Sequence, residues 1–229
     1  MSYDHDSLFR STFEQPEHAA SLLRTILPAP LALAIDWASL QMEPGTSVDE
    51  HLQSRHADLL FSARLGHEPL LLYVLLEHKS ESDRWTALQL LRYVVRAFDR
   101  YRTLHPDATA LPPIVPIVVH HGDRAFQAPR TVLDLVDLST LPPSIQRILA
   151  PLQPNLHFLL DDLAAVPESR LRQRRATVLT RLTLLLLQFV RRADDREPAQ
   201  FVRRWRDLMR ALWNDPAGRH AMISLFSYL

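Results

Sequence analysis

The sequence predicts an α/β fold, a mixed β-sheet flanked by helices and followed by a mostly helical C-terminal region. Three observations predict it. The apolar run Leu70–Leu76 has the length of a buried strand and ends abruptly in Glu77-His78-Lys79. A helical stripe follows at once, from Arg84 to Arg102, with Trp85, Leu88, Leu91, Val95 and Phe98 in phase. A second apolar run, Pro113–Val119, then resumes the sheet. A strand, helix and strand in that order make a parallel crossover. At 229 residues the chain is long enough for one sizeable core, read here as residues 1–130, with residues 131–229 packing on it or forming an oligomer interface.

The remaining elements follow from local signals. Asp4 or Asp6 can cap a first helix containing Leu8, Phe9 and Phe13. Pro16 sits where a second helix tolerates proline, and Pro28-Ala29-Pro30 ends that helix. Leu31–Ile35 is a short helical stretch, and Trp37–Glu43 a first strand closed by Pro44-Gly45. Ala57–Arg64 is the second strand, joined to the third by a four-residue loop, Gly66–Pro69. Pairing Leu65 with Leu70 puts Asp58 opposite Glu77. Pro116 suggests an edge or a bulge for the strand after the helix. Asn155–Asp161 is a candidate strand. Ser169–Arg192, Pro198–Asn214 and Ala217–Leu229 are candidate helices.

Composition narrows the function classes. Basic and acidic residues balance at 26 each, so no whole-chain field attracts nucleic acid or a membrane. Cysteine is absent, which excludes disulfides, thiolate metal sites and a cysteine nucleophile. Seventeen prolines against four glycines leave no phosphate-cradling glycine loop. Leu182–Val190 is too short to span a bilayer, and no signal-peptide layout opens the chain, so a cytoplasmic protein is expected.

The chemistry concentrates on the end of the third strand. Glu77 and Lys79 are two apart and share a face, roughly 6–7 Å apart along the strand. Lys79 is the only lysine in the chain; every other fixed cation is arginine. Two carboxylates meeting across a hairpin repel unless something sits between them. Asp58 and Glu77 are therefore candidate ligands for Mg²⁺ or Mn²⁺, hard cations that take oxygen donors. A lysine beside them suits the positioning of a water against a phosphodiester. The plainer reading is a polar strand end with surface partners.

The succession of helix, strand, Asp-bearing strand, E-x-K strand, helix and strand resembles the core of PD-(D/E)XK (restriction-endonuclease-like) nucleases. Several segments are more narrowly similar to the recombination-promoting nuclease / putative transposase family (YhgA-like). They are His5–Arg10, Ile35-Asp36-Trp37, Arg55–Leu60, Leu76–Ser80, Leu90–Tyr93 and Pro113–Gly122, and they cover about residues 5–130. The resemblance implies a metal-dependent DNA endonuclease linked to recombination or mobile elements, with Asp58 and Glu77 on the metal and Lys79 closing the motif. Members of this family often carry Gln at the position of Lys79, which brings this chain nearer the wider superfamily pattern.

Gln89 and Tyr93 form Q-x-x-x-Y, a spacing similar to that in RecB-like nucleases, which puts both on one helix face towards the metal site. Their plainer reading is a surface Gln beside a half-buried Tyr. Asp6, Glu14 and Glu17 are candidates for the acidic residue that the first helix supplies in many such nucleases, Asp6 foremost. His56, His78, His120 and His121 do not make a zinc site, because strand neighbours face opposite ways. Arg170, Arg172, Arg174, Arg175 and Arg181 read as a solvated helix face before a phosphate-tracking one. Leu182–Val190 is core, with a homodimer seam as the alternative. DNA is the expected partner, and no membrane is. RNA as substrate and a catalytically lapsed nuclease-fold module that regulates or binds a partner are the other readings.

Overall fold

The computed structural model describes residues 5–43, 58–77, 82–191 and 198–215, together with 218–219, 221–222 and 225. Helices α1 (His5–Phe13), α2 (Pro16–Ile26) and α3 (Ala29–Ala34) lead into β1 (Ile35–Met42). The hairpin β2 (Asp58–Leu65) and β3 (Glu68–Glu77) follows, then α4 (Thr86–Leu104) and β4 (Ile114–His120). After α5 (Pro143–Leu149) the chain adds β5 (Leu159–Asp162). It finishes with α6 (Glu168–Arg172), α7 (Val178–Arg191), α8 (Pro198–Arg204) and α9 (Arg206–Asn214).

The strands form one mixed sheet in the order β1-β2-β3-β4-β5. The first three are antiparallel, and β3, β4 and β5 are parallel. The period-two alternation of the strands builds two layers. Leu59, Phe61, Leu70, Leu72, Ile117 and Val119 face α1, α2, α7 and α9. Leu60, Leu71 and Val118 face α4, with Val132 and Phe158 beside them. The sheet does not close at residue 130, since its fifth strand comes from 159–162. Leu182 and Leu184–Leu187 are fully buried, so this run is core. Among the described residues no helix is long and apolar enough to cross a membrane.

Five expectations are corrected or narrowed. The hairpin loop has two residues, Gly66 and His67, because Gly66 takes φ 63° and closes a tight primed turn. The register therefore moves by two, pairing Leu65 with Glu68 and Asp58 with Leu75 instead of Glu77. Pro116 lies in an internal strand, but just before the pairing with β5 begins at Ile117, so only that stretch of β4 is an edge. The helix predicted over 169–192 breaks into α6 and α7, with Thr177 capping the second through the Thr180 N–H (3.2 Å). That over 198–214 breaks at Trp205.

The inward stripe of α4 also differs from the predicted one. It is Thr86, Ala87, Leu90, Tyr93, Val94 and Ala97, whereas Trp85 and Val95 are 54% and 49% exposed. Small side chains at 86, 87 and 97 let the helix approach the sheet closely. The bulkier Leu88, Leu91 and Phe98 flank the contact, half-buried.

Candidate active site

Asp58 is the first residue of β2, so the antiparallel pairing brings it to the end of the sheet where β3 terminates. It sits opposite Leu75, and the backbone of Glu77 lies two positions further on, the diagonal neighbour. Such diagonal positions are about 7–8 Å apart. Lys79 and His78 lie outside the described residues, as does His56.

The side chain of Asp58 is half-buried, with Oδ1 shut off from solvent. The buried Tyr93 hydroxyl donates to it, and Gln89 hydrogen-bonds the same hydroxyl from one turn earlier on α4. The hydroxyl has one proton, given to Asp58, so the Gln89 amide is the donor in that second bond. Burial pushes the Tyr93 hydroxyl above its ordinary value, the Asp58 charge pushes it further, and Arg96 partly opposes both. Q-x-x-x-Y is thus an ordered relay on α4 that ends on the carboxylate.

Asp6 lies in the first turn of α1, part-buried, with Oδ1 shut off from solvent. Its helix, α1, packs on the α7 side of the sheet, and the neighbouring His5 ring meets His121 edge-on at 4.9 Å. Glu14 pairs with Arg10 on the surface (3.2 Å). Glu17 is exposed.

One buried pair carried no signal in the sequence. β4 and β5 align His120 with Asp162, and the same row places Glu77 opposite His120 on the other side. His120 is fully buried, and its Nδ1 lies 2.9 Å from Asp162 Oδ1. The backbone N–H groups of Phe126 (2.8 Å) and Ala164 (3.2 Å) also donate to Asp162. Burial pushes the Asp162 carboxyl up, but the bonds from His120, Phe126 and Ala164 outweigh it and hold the group below the usual range. An ionised carboxylate accepts only, so Nδ1 carries the proton and is the donor. His121 turns to the opposite layer and meets His5, so the two histidines diverge as the strand geometry requires.

The arginine run divides: Arg170 and Arg175 are exposed, as a solvated face requires, whereas the other three are held by the protein. Arg174 forms two 2.6 Å bonds to Asp161, Arg172 bonds Asp207 (2.7 Å), and Arg181 bonds the Arg172 carbonyl (3.0 Å). These contacts lock α6, α7 and α9 to β5.

Among the described residues no group of three or more His, Asp or Glu side chains can hold a metal ion. Glu77, the other candidate ligand, has its side chain outside that description. The donors fit a hard cation in kind: Asp58 offers carboxylate oxygens at a partly desolvated sheet end, with its orientation fixed by Tyr93.

A family model described as "Putative transposase, YhgA-like" matches residues 3–218. The chain belongs to this family. The match runs past β5 and through the C-terminal helices, beyond the 5–130 stretch that carries the resemblance in the sequence. Among curated relatives, recombination-promoting nuclease RpnD of Escherichia coli O157:H7 is 31% identical over 181 residues, 79% of this chain and 66% of that protein. Recombination-promoting nuclease RpnA of Escherichia coli strain K12 is 29% identical over 182 residues, 79% of this chain and 59% of its own length. The inactive recombination-promoting nuclease-like protein RpnE of the same strain is 28% identical over 182 residues, 79% of this chain and 58% of RpnE. The chain thus spans between 58% and 66% of these relatives' lengths. No solved structure matches.

Proposed function

We propose that this chain is a metal-dependent DNA endonuclease, in which Asp58 and Glu77 hold Mg²⁺ or Mn²⁺ and Lys79 orients the attacking water. The observation that carries the reading is the relay Gln89–Tyr93–Asp58, which fixes a carboxylate diagonal to Glu77 at the end of β3. The names of relatives such as RpnD and RpnA support the reaction class. When bound, the ion would supply charge against a phosphodiester and a lowered pKa for water. The chain's own part is positional. Tyr93 fixes the carboxylate of Asp58, and Gln89 fixes Tyr93. Lys79 holds a water by hydrogen bonding and adds positive charge where negative charge builds on the phosphate.

The test is nicking of supercoiled plasmid in Mg²⁺ or Mn²⁺. Cleavage that Asp58→Ala and Lys79→Ala both abolish supports the reading. No cleavage, or cleavage that survives both substitutions, overturns it. A relative described as inactive gives the second outcome a concrete form, a nuclease fold retained as an interaction module. In that case calorimetry with Mn²⁺ shows no binding that Asp58→Ala removes.

A further inference from the structure

A polar cleft of about 330 Å³ opens at the same end of the sheet as Asp58 and Glu77, lined by Ser82, Arg84, Arg124, Gln127 and Pro129 with two alanines. Its two walls are the turn before α4 and the loop after β4, the segments that leave the carboxyl ends of neighbouring parallel strands. Crevices at that end are where open α/β sheets place their ligands.

Each wall carries the same dipeptide, Asp83-Arg84 on one and Asp123-Arg124 on the other, and only the arginines line the cleft. Asp83 is turned to the backbone, accepting from the Trp85 N–H at 2.9 Å. Both arginines are exposed, and no ion pair holds either of them among the described residues. Each stems from fixed backbone. The Asp83 carbonyl takes the Thr86 N–H (3.1 Å) and hydroxyl (2.7 Å). The loop is tied to β5 through Phe126 and Asp162 (2.8 Å), and to the opposite wall through the Gln127 N–H and Ser82 Oγ (3.0 Å). Two cations on braced segments, with no carboxylate among the described residues that line the space between them, suit an anion. The 19-residue α4 begins beside it and adds the positive end of its dipole.

We propose that this cleft grips a phosphate of the nucleic-acid backbone, with Arg84 and Arg124 as the two binding side chains. The proposal rests on the nucleic-acid reading above and names where the strand is held. Guanidinium groups match phosphate oxygens in pairs. Trp85, 54% exposed beside Arg84, offers an aromatic face that suits a nucleotide better than a free anion.

The experiment measures binding without cleavage, using the full chain, a short fluorescein-labelled DNA duplex and EDTA, by anisotropy across a salt series. Losing the grip on one phosphate should lower the slope of log K against log salt by about 0.9, and weaken binding by roughly tenfold at moderate salt. The variant is R84Q/R124Q. R203Q/R210Q, on exposed arginines of α8 and α9, removes the same charge across the sheet and should leave the slope unchanged. An unchanged slope in R84Q/R124Q, or an equal loss in both double variants, overturns the proposal and leaves the nuclease reading untouched. Inorganic phosphate that raises the melting temperature of wild type but not of R84Q/R124Q, with duplex binding equal in both, makes the cleft a free-anion site and also overturns it. A wild-type chain that binds no duplex overturns both readings. Binding lost only in R84Q/R124Q supports the cleft even if plasmid nicking fails.

Discussion

Asp58→Asn should lower the pKa of Tyr93. The hydroxyl of Tyr93 is held above its ordinary value by burial first, then by the charge of Asp58 and by the bond it donates to that carboxylate. Asparagine keeps the size of the side chain and removes the charge, so two of the three upward causes weaken while burial stays. The readout is the ¹³Cζ shift of the tyrosines against pH, with Tyr93→Phe identifying which of the five resonances is Tyr93. Tyr93→Phe removes the relay and keeps the ring. A hydrogen bond to a charged group contributes about 1.5–3 kcal/mol. Asp58 and Gln89 are only half-buried and can rehydrate, which cuts the net cost to roughly 1–2 kcal/mol. For a chain of this size that lowers the melting temperature by roughly 2–8 °C. The linkage sign follows from a raised folded pKa. Above about pH 10 the unfolded chain releases this proton before the folded one, so wild type loses stability there that Tyr93→Phe does not. If Asp58 is a ligand, loss of its orienting partner should also cut nicking by roughly 10–100-fold. A Tyr93 titration identical in wild type and Asp58→Asn would refute the relay.

Three further outcomes test the frame around it. Arg174→Met leaves Asp161 buried without its partner and should cost about 3–5 kcal/mol in urea unfolding; a loss under about 1 kcal/mol would mean that the pair is solvated. Gly66→Ala should cost about 1–2 kcal/mol through the positive φ alone, because its Cβ would meet nothing within 4 Å. Asp162→Asn should flatten the acid limb of the stability curve. With the folded pKa depressed, its contribution is present above about pH 4 and lost as pH falls through the folded value, so wild type should fall more steeply than the variant in that window.

The strands were legible because a short apolar run bounded by turn residues fits little besides a buried strand. The register was not, because it hangs on one backbone dihedral. A glycine at φ 63° makes a two-residue turn where the Gly66–Pro69 segment reads equally well as a four-residue loop. The resulting slip is two residues, an even number, so it changes the partner of Asp58 but not its face. That is why Asp58 still meets the helix that the sequence assigned to its side of the sheet. The stripe on α4 misled for a different reason. Periodicity weights the bulky residues, whereas the contact with the sheet is made by Ala87, Ala97 and Thr86, which are buried because they are small. The inward face so defined includes Tyr93, beside Asp58.

What the sequence hid most completely is the division of labour at Asp161-Asp162. Neighbouring residues on a strand face opposite layers, so the two adjacent carboxylates point apart. Asp161 enters the α7 layer and binds Arg174, 13 residues on; Asp162 enters the α4 layer and binds His120, 42 residues back. Neither partner has a helical or hairpin spacing, and each depends on a parallel register that exists only once β4 and β5 have paired. The short strand β5 therefore does more than extend the sheet. Through Asp161 it fastens the C-terminal helices. Through Asp162 it fixes His120 in the row that includes Glu77, and the loop that carries Arg124. A chain ending before residue 159 would lose both anchors, so the fold around the end of β3 is complete only with β5.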